Sequence, residues 1–213
     1  MQIKQIIFDF DGVILNSHKI KTKAFYKLFK KYGHKNAKKA VKYHLNNTGV
    51  SRFVKFKYIL KKIIKIKPQK NILEQLDKEF SDFCEMKIKN LKPSKSLLNF
   101  LKLEKKNFIF FISTGTPQKD INKILKRKKI NHFFRKAYGS PRKKTSHIKE
   151  IKKNGLSTLF IGDSVEDLYS AKVTATQFIL KVNSENSKLK NKSINKIYSF
   201  RNFKEKVQSI SIR

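Results

Sequence analysis

Three short stretches of this 213-residue chain combine carboxylates, hydroxyls and glycines: Asp9-Phe10-Asp11-Gly12, Ser113-Thr114-Gly115 and Asp163-Ser164-Val165-Glu166-Asp167, with Arg142, Lys143 and Lys144 between the last two. Carboxylates converging in a poorly hydrated cleft repel one another unless a cation holds them. An all-oxygen ligand set suits Mg2+, which keeps several waters and takes a substrate phosphate as a further ligand. A hydroxyl and an ammonium beside such an ion supply the donors that a transferring phosphoryl group needs on its equatorial oxygens.

Convergence depends on the elements that carry these stretches. Residues 2 to 10 form an apolar, β-branched and aromatic run ending in acids, the pattern of a buried strand with a site at its carboxyl end. From Ser17 to about Lys92 apolar residues recur at three and four: Ala24, Leu28 and Phe29; Phe53, Phe56, Ile59, Leu60, Ile63 and Ile64; Leu73, Leu76, Phe80 and Phe83. This predicts a run of amphipathic helices, broken into about four pieces at His34 to Asn36, Asn46 to Gly49 and Lys67 to Pro68. After Pro93 helical and strand patterns alternate. Strands are expected at Phe108 to Ile112, Ala137 to Tyr138, Leu159 to Ile161 and Phe178 to Leu180, and a last short strand and helix over Ile194 to Val207; the polar stretch Asn183 to Ser193 reads as a loop. Such alternation implies an α/β fold, a Rossmann-like three-layer core around a parallel sheet, in which ligands bind outside the carboxyl ends of the strands. Residues 1–14 and 93–213 are expected to form this core, and residues 15–92 an inserted α-helical cap domain.

The same stretches resemble the four motifs of the haloacid dehalogenase superfamily. DFDGVILNS is similar to its first motif, FFISTGTP to its second, GSPRKKTSHI to its third and IGDSVED to its fourth, in order and along nearly the whole chain. A helical cap just after the first motif marks the phosphoglycolate phosphatase and β-phosphoglucomutase type. The resemblance implies that Asp9 is the nucleophile that forms an aspartyl-phosphate, and that Asp11 protonates the leaving alcohol and then deprotonates water. Dehalogenases usually lack this second Asp, so phosphoryl chemistry is expected instead. Thr114, with Ser113 as the alternative, is implied as the hydroxyl on the phosphoryl oxygens; Lys144, with Lys143 as competitor, as the neutralising cation. Mg2+ is expected on Asp9, Asp163, the Asp11 carbonyl and Asp167, the last through water or by holding Lys144. Gly12, Ser113 and Gly115 are expected to border the substrate.

Specificity is expected from the cap. Gly49-Val50-Ser51-Arg52 resembles the cap loop that reaches the far end of a phosphorylated substrate in β-phosphoglucomutase-like proteins, and the planar donor fork of Arg52 suits that task. Lys55 is a second candidate, and His18 and Lys21 could line the entrance. The chain departs from the mutase pattern where Asn16-Ser17 replaces Asp-Ser and Lys21 stands where many mutases carry His.

The composition narrows the alternatives. Lys and Arg total 51 against 15 Asp and Glu, a formal charge of +36. The cations are spread over every segment and accompany an excess of Ile, Asn and Phe, residues with A/T-rich codons. We read the charge as a solvated surface dressed by composition, with nucleic acid not expected as a partner, although such a surface speeds the arrival of anions. Cys84 is alone and expected in a half-buried helix position, and no Cys/His cluster has zinc spacing. No segment reaches the roughly 18 apolar residues of a membrane span, and the start does not resemble a signal peptide, so a cytoplasmic protein, monomer or homodimer, is expected. The leading expectation is a Mg2+-dependent phosphatase acting on a small phosphorylated metabolite. A phosphosugar mutase is the alternative on the same fold, and a non-catalytic polyanion-binding protein the alternative of another class.

Overall fold

The computed structural model describes residues 2–211 except 185, 187, 188, 190, 192 and 193. In chain order the elements are β1 (Gln5–Phe8), α1 (His18–Lys30), α2 (His34–Asn46), α3 (Arg52–Tyr58), α4 (Lys70–Ile88), α5 (Lys95–Glu104), β2 (Ile109–Pro117), α6 (Gln118–Arg127), β3 (Lys136–Ser140), α7 (Lys144–Ile151), β4 (Thr158–Gly162), α8 (Val165–Val173), β5 (Gln177–Lys181), β6 (Lys196–Ile197) and α9 (Phe203–Ser211).

The strands form one parallel sheet in the order β3-β2-β1-β4-β5-β6. β1, sequence QIIF, is buried at all four positions and lies between β2 and β4, where the strand order reverses. Phe8 stands opposite Ile112 on one side and Ile161 on the other, so the chemistry-bearing residues that follow each strand leave the sheet at one level. Alternation along β1 sorts the two faces. Ile6 and Phe8 join the core that includes Leu97 and Phe100 of α5 and Ile121 of α6, whereas Ile7 packs with Ile148 of α7 and Ala171 of α8. Helices therefore cover both faces, giving the three-layer α/β core expected of the alternating pattern.

β1 is shorter than the apolar run suggested. Asp9 still donates its amide to the Ile161 carbonyl at 2.8 Å, but the chain then turns at Gly12, whose φ is 84°. A side chain on Gly12 would be strained there and would collide with Asp163 Oδ2 and His18 Nε2.

Between β1 and α5 the chain makes a helical insert, α1 to α4. On α4 the buried residues Leu76, Phe80, Cys84 and Ile88 recur at intervals of four, one stripe of a helix. Phe80 meets Phe25 of α1 at 5.3 Å and Phe56 of α3 at 5.9 Å between ring centres, and Phe25 and Phe56 close the triangle at 5.6 Å. Aromatic triads of this kind bury large area in few residues and fix helix positions. Two local expectations shift. The break before α2 lies at Gly33, at φ 95°, rather than at His34 to Asn36, which are helical. The helical pattern of Phe53 to Ile64 is α-helical only to Tyr58; Ile59–Ile64 is a π-helical turn that ends at Lys65 in left-handed conformation. Cys84 is more buried than expected, and burial pushes its thiol up to about 12, an unreactive state. The stretch 183–193 lies partly outside the described residues. None of the described helices is long and apolar enough to cross a membrane.

Candidate active site

Asp9 follows β1 directly and is 3% exposed. Its carboxylate, that of Asp163 after β4 and that of Asp167 in the first turn of α8 all lie within 4.8 Å of one another. Lys144, the first residue of α7, enters this cluster. Its Nζ stands 2.9 Å from Asp9 Oδ1 and 2.6 Å from Asp167 Oδ1. Burial disfavours the ammonium, but Asp167 and Asp9 outweigh it and hold the lysine above its ordinary range. Lys143, the competitor in the sequence, is exposed.

Asp167 has its two oxygens assigned to different tasks. Oδ1 holds Lys144, while Oδ2 accepts from the amides of Asp163 at 3.2 Å and Ser164 at 3.0 Å and from Ser164 Oγ at 2.5 Å. Ser164 returns the bond by accepting from the Asp167 amide at 3.2 Å, a reciprocal cap that starts α8. The helix-start reading and the lysine-holding reading of Asp167 are thus the same geometry.

Asp163 Oδ2 accepts from Asn183 Nδ2 at 2.6 Å and lies 2.6 Å from His18 Nε2. Asn186 Nδ2 donates to the Asp163 carbonyl at 3.0 Å. Asp163 Oδ1 is buried without a hydrogen-bond partner among the described residues. Burial pushes both the Asp9 and Asp163 carboxyls above their ordinary range; the neighbouring Asp167 charge adds to this while Lys144 opposes it at Asp9 and His18 opposes it at Asp163. Two desolvated carboxylates, one beside the lysine it shares with Asp167 and the other with a bare oxygen, fit a hard divalent cation.

Asp11 turns its side chain away from this cluster. Ser17 Oγ donates to its Oδ1 at 2.5 Å, Thr116 Oγ1 to its Oδ2 at 3.0 Å, and Lys21 pairs with the same Oδ2. Lys21 also reaches Thr116 Oγ1 at 2.9 Å. Burial alone would raise the Asp11 carboxyl, yet Lys21, Ser17 and His18 together hold it well below the usual carboxylate range. The residue is an ion-paired carboxylate.

Against these positions the remaining sequence candidates divide. Thr114 is fully buried, with Oγ1 accepting the Thr116 amide at 3.1 Å. Gly115 borders a cavity of about 50 Å3 that Asp9, Asp11, His18, Lys21, Phe25, His44, Gly49, Arg52, Lys55 and Thr116 also line. Gly12 touches Asp163 and His18. Ser113 does not reach the cavity. Strand alternation sends it to the α7 face, where its hydroxyl meets His147 Nδ1 at 3.0 Å, away from the cavity that was expected to hold it. Burial, with Arg142 and Lys144 nearby, lowers His147 to about 4 and keeps it neutral.

Arg52 is at the cavity wall but not free. Nε donates to Asp77 Oδ1 at 2.5 Å, NH2 to Ser81 Oγ at 2.6 Å, and NH1 lies 2.9 Å from Asp120 Oδ2. Asp77 belongs to the insert and Asp120 to α6 of the core, so the guanidinium ties one to the other while it lines the cavity. Glu85 extends the seam with Lys123 and Arg127, each at 2.7 Å. Lys55 is 3% exposed and lies against His44 Nδ1 at 3.1 Å.

Sequence reading missed Ser17 and Thr116 as partners of Asp11, and Asn183 and Asn186 on Asp163. The signal for Asn183 was present, because it closely follows β5, and collecting polar residues at every strand end would have included it. Asn186 and Thr116 act through turns that only the folded backbone specifies.

The chain matches the family described as haloacid dehalogenase-like hydrolase over residues 6–181. No curated protein matches it. Among solved structures, a β-phosphoglucomutase from Clostridium difficile superposes with a TM-score of 0.75 at 19% identity, covering 100% of each chain. A predicted phosphatase from Clostridium acetobutylicum gives 0.74 at 17% identity, covering 98% of this chain and 100% of that one. A predicted phosphoglycolate phosphatase from Haemophilus somnus 129pt gives 0.73 at 18% identity, covering 96% and 98%. At such identities the likeness is one of fold, and the family match carries the assignment: with its acidic cluster at the switch point of the sheet, the protein belongs to the haloacid dehalogenase-like hydrolases.

Proposed function

We propose that the protein is a Mg2+-dependent phosphatase that hydrolyses a small phosphomonoester through an aspartyl-phosphate on Asp9. The observation that carries this reading is the placement of one buried carboxylate, Asp9, beside both Lys144 at 2.9 Å and the carboxylates of Asp163 and Asp167. A nucleophile that must approach a phosphoryl dianion needs its own charge and that of the phosphate neutralised, and Lys144 lies where it serves both.

Asp9, Asp163 and the Asp11 carbonyl would hold the ion, with Asp167 positioning Lys144 beside them. When bound, Mg2+ supplies positive charge for the phosphoryl oxygens and relieves the repulsion among the acids. Asp11 accepts from Lys21 at Oδ2; once protonated it would pass its proton to the leaving oxygen and, as the resulting carboxylate, take one from the attacking water. Thr114 would donate its hydroxyl proton to a phosphoryl oxygen while its Oγ1 keeps accepting from the Thr116 amide. We read helices α1 to α4, residues 15–92, as a cap over the core formed by 1–14 and 93–213: Arg52 bridges the two, and the cavity lies between them. A cap that closes over the cavity would limit the access of water to the site.

A phosphate-release screen over phosphorylated metabolites, run with Mg2+ and with chelator, tests the reading. The wild type is expected to release phosphate only with the ion, and Asp9→Asn to be inactive. Activity retained in Asp9→Asn, or no release from any member of the panel, would overturn it.

A further inference from the structure

The outer face of α8 departs from the pattern of the other helices. In α1 every exposed residue is a lysine, namely Lys19, Lys23, Lys27 and Lys30, and α6 exposes Lys119, Lys123, Lys126 and Arg127 beside Asn122. On α8 the exposed residues are Val165, Tyr169 and Val173, at 59%, 57% and 50%, with Lys172 as the one cation. From Asn154 to Leu180, Lys172 is the only Lys or Arg in a chain that holds 51 of them.

These three apolar side chains do not serve the fold, because α8 packs on the sheet through its other side, Leu168 and Ala171. A contiguous apolar ridge left in water marks a contact surface, and covering it is favourable by the ordinary hydrophobic term. Lysine is also the residue that buried interface centres exclude.

The flanks of the ridge decide the occupant. At about 100° and 1.5 Å per residue, Val165, Tyr169 and Val173 form a ridge slanting across the helix, with Glu166 on one flank and Lys172 on the other at nearly the same level along it. Neither makes an ion pair among the described residues. A two-fold axis running along the ridge exchanges the flanks, so that Glu166 of each copy meets Lys172 of the other while Tyr169 lies beside its own symmetry mate. Ridges of i±4 spacing pack in this way with the helices crossing at roughly −50°.

We propose that α8 is the centre of a symmetric dimer of this chain, in which the Val165-Tyr169-Val173 ridge packs on its own copy and Glu166 pairs with Lys172 across both flanks. A nucleic acid or an anionic membrane would be drawn instead to lysine-covered faces such as those of α1 and α6. Two copies that each carry +36 repel over their whole surfaces, and the lysine-poor face is where they approach at least cost. A seam centred on one nine-residue helix is small, so the affinity is expected to be micromolar rather than nanomolar.

Sedimentation velocity over a protein concentration series reads the association. Wild type is expected to dimerise at micromolar concentration, and more readily as NaCl rises from about 0.05 to 0.5 M, because salt screens the net repulsion while the apolar ridge is unaffected. Tyr169→Lys should weaken the dimer about tenfold or more, with its thermal midpoint at low protein concentration unchanged because the side chain is exposed. Lys172→Glu should weaken it a few-fold by setting two acids against each other, and adding Glu166→Lys should restore it. With a thiol oxidant, Tyr169→Cys should form a covalent dimer and Lys23→Cys, on α1, should not; the buried Cys84 does not contribute. A wild type that stays monomeric throughout the salt series, a dimer untouched by Tyr169→Lys, or equal cross-linking of the two cysteine variants overturns the proposal.

Discussion

Lys144 Nζ stands between Asp9 and Asp167, 2.9 Å from the first and 2.6 Å from the second, and is the one cation that contacts the two carboxylates among the described residues. The geometry depends on three separate element ends: the exit of β1, the start of α7 and the start of α8. Removing the lysine leaves two buried acids facing each other, which costs far more than the pair contributes when intact.

Lys144→Met is therefore expected to destabilise the metal-free protein by about 3 kcal/mol and to abolish phosphate release. Added Mg2+ should restore part of the stability, because the ion replaces the missing charge, but not the activity. Denaturant unfolding with chelator and with Mg2+, beside a phosphate assay, checks both halves.

Arg52 predicts a different outcome. Asp120→Asn cuts the link from the insert to α6 while leaving Asp77 and Ser81 on the guanidinium. Because Asp120 is partly exposed, the stability loss should stay near 1 kcal/mol. Hydrogen exchange should nevertheless rise along α3 and α4 before it rises in the sheet, and KM should increase as the insert opens more often.

Gly115 is where the insert rests on the end of β2. A side chain there would lie 2.5 Å from the Gly49 carbonyl oxygen, a backbone atom that cannot swing aside. Gly115→Ala should hold the insert off the core and lower kcat/KM by about tenfold or more, with the thermal midpoint nearly unchanged because the core packing is intact. A full-activity Gly115→Ala would show that the contact is not needed for closure.

The pH dependence of stability should carry the signature of His147. It is neutral in the fold, lowered to about 4 from 6.5, whereas the unfolded chain binds a proton below 6.5. The unfolded state then holds more protons between these values, so stability falls as pH drops from 6.5 towards 4, by at most ~3 kcal/mol from this group. His147→Asn should flatten that part of the curve. Lys55 acts in the alkaline range with the same sign: lowered to about 7 from 10.5, it makes the fold gain stability as pH rises between those values, and Lys55→Met should remove that rise.

Much of this arrangement is legible in the sequence because parallel strands announce themselves as apolar runs and leave their chemistry at the carboxyl ends. Asp9, Asp163 and Lys144 are visible in that way, and Lys144 and not Lys143 lies in the site because the first residue of α7 faces the sheet while its predecessor faces solvent. The insert resists the same reading. Arg52 and Lys55 look alike as cations at the start of one helix, yet Asp77 and Asp120, from distant segments, close on the first and leave the second alone. Ser113 and Thr114 are adjacent hydroxyls whose separation into opposite faces follows from the pleat of β2, which depends on strand register rather than residue type. Pairings of this kind are set by tertiary contacts that composition and periodicity do not encode.

The most direct test of the account is whether phosphate becomes covalently attached to Asp9 during turnover. The enzyme mixed with substrate and Mg2+, quenched in acid within a single turnover and analysed by peptide mass spectrometry, should carry one phosphoryl group on the peptide containing Asp9. Asp9→Asn should carry none. A wild-type enzyme that hydrolyses substrate with no phosphorylated intermediate, or with the phosphoryl group on another residue, would contradict the account.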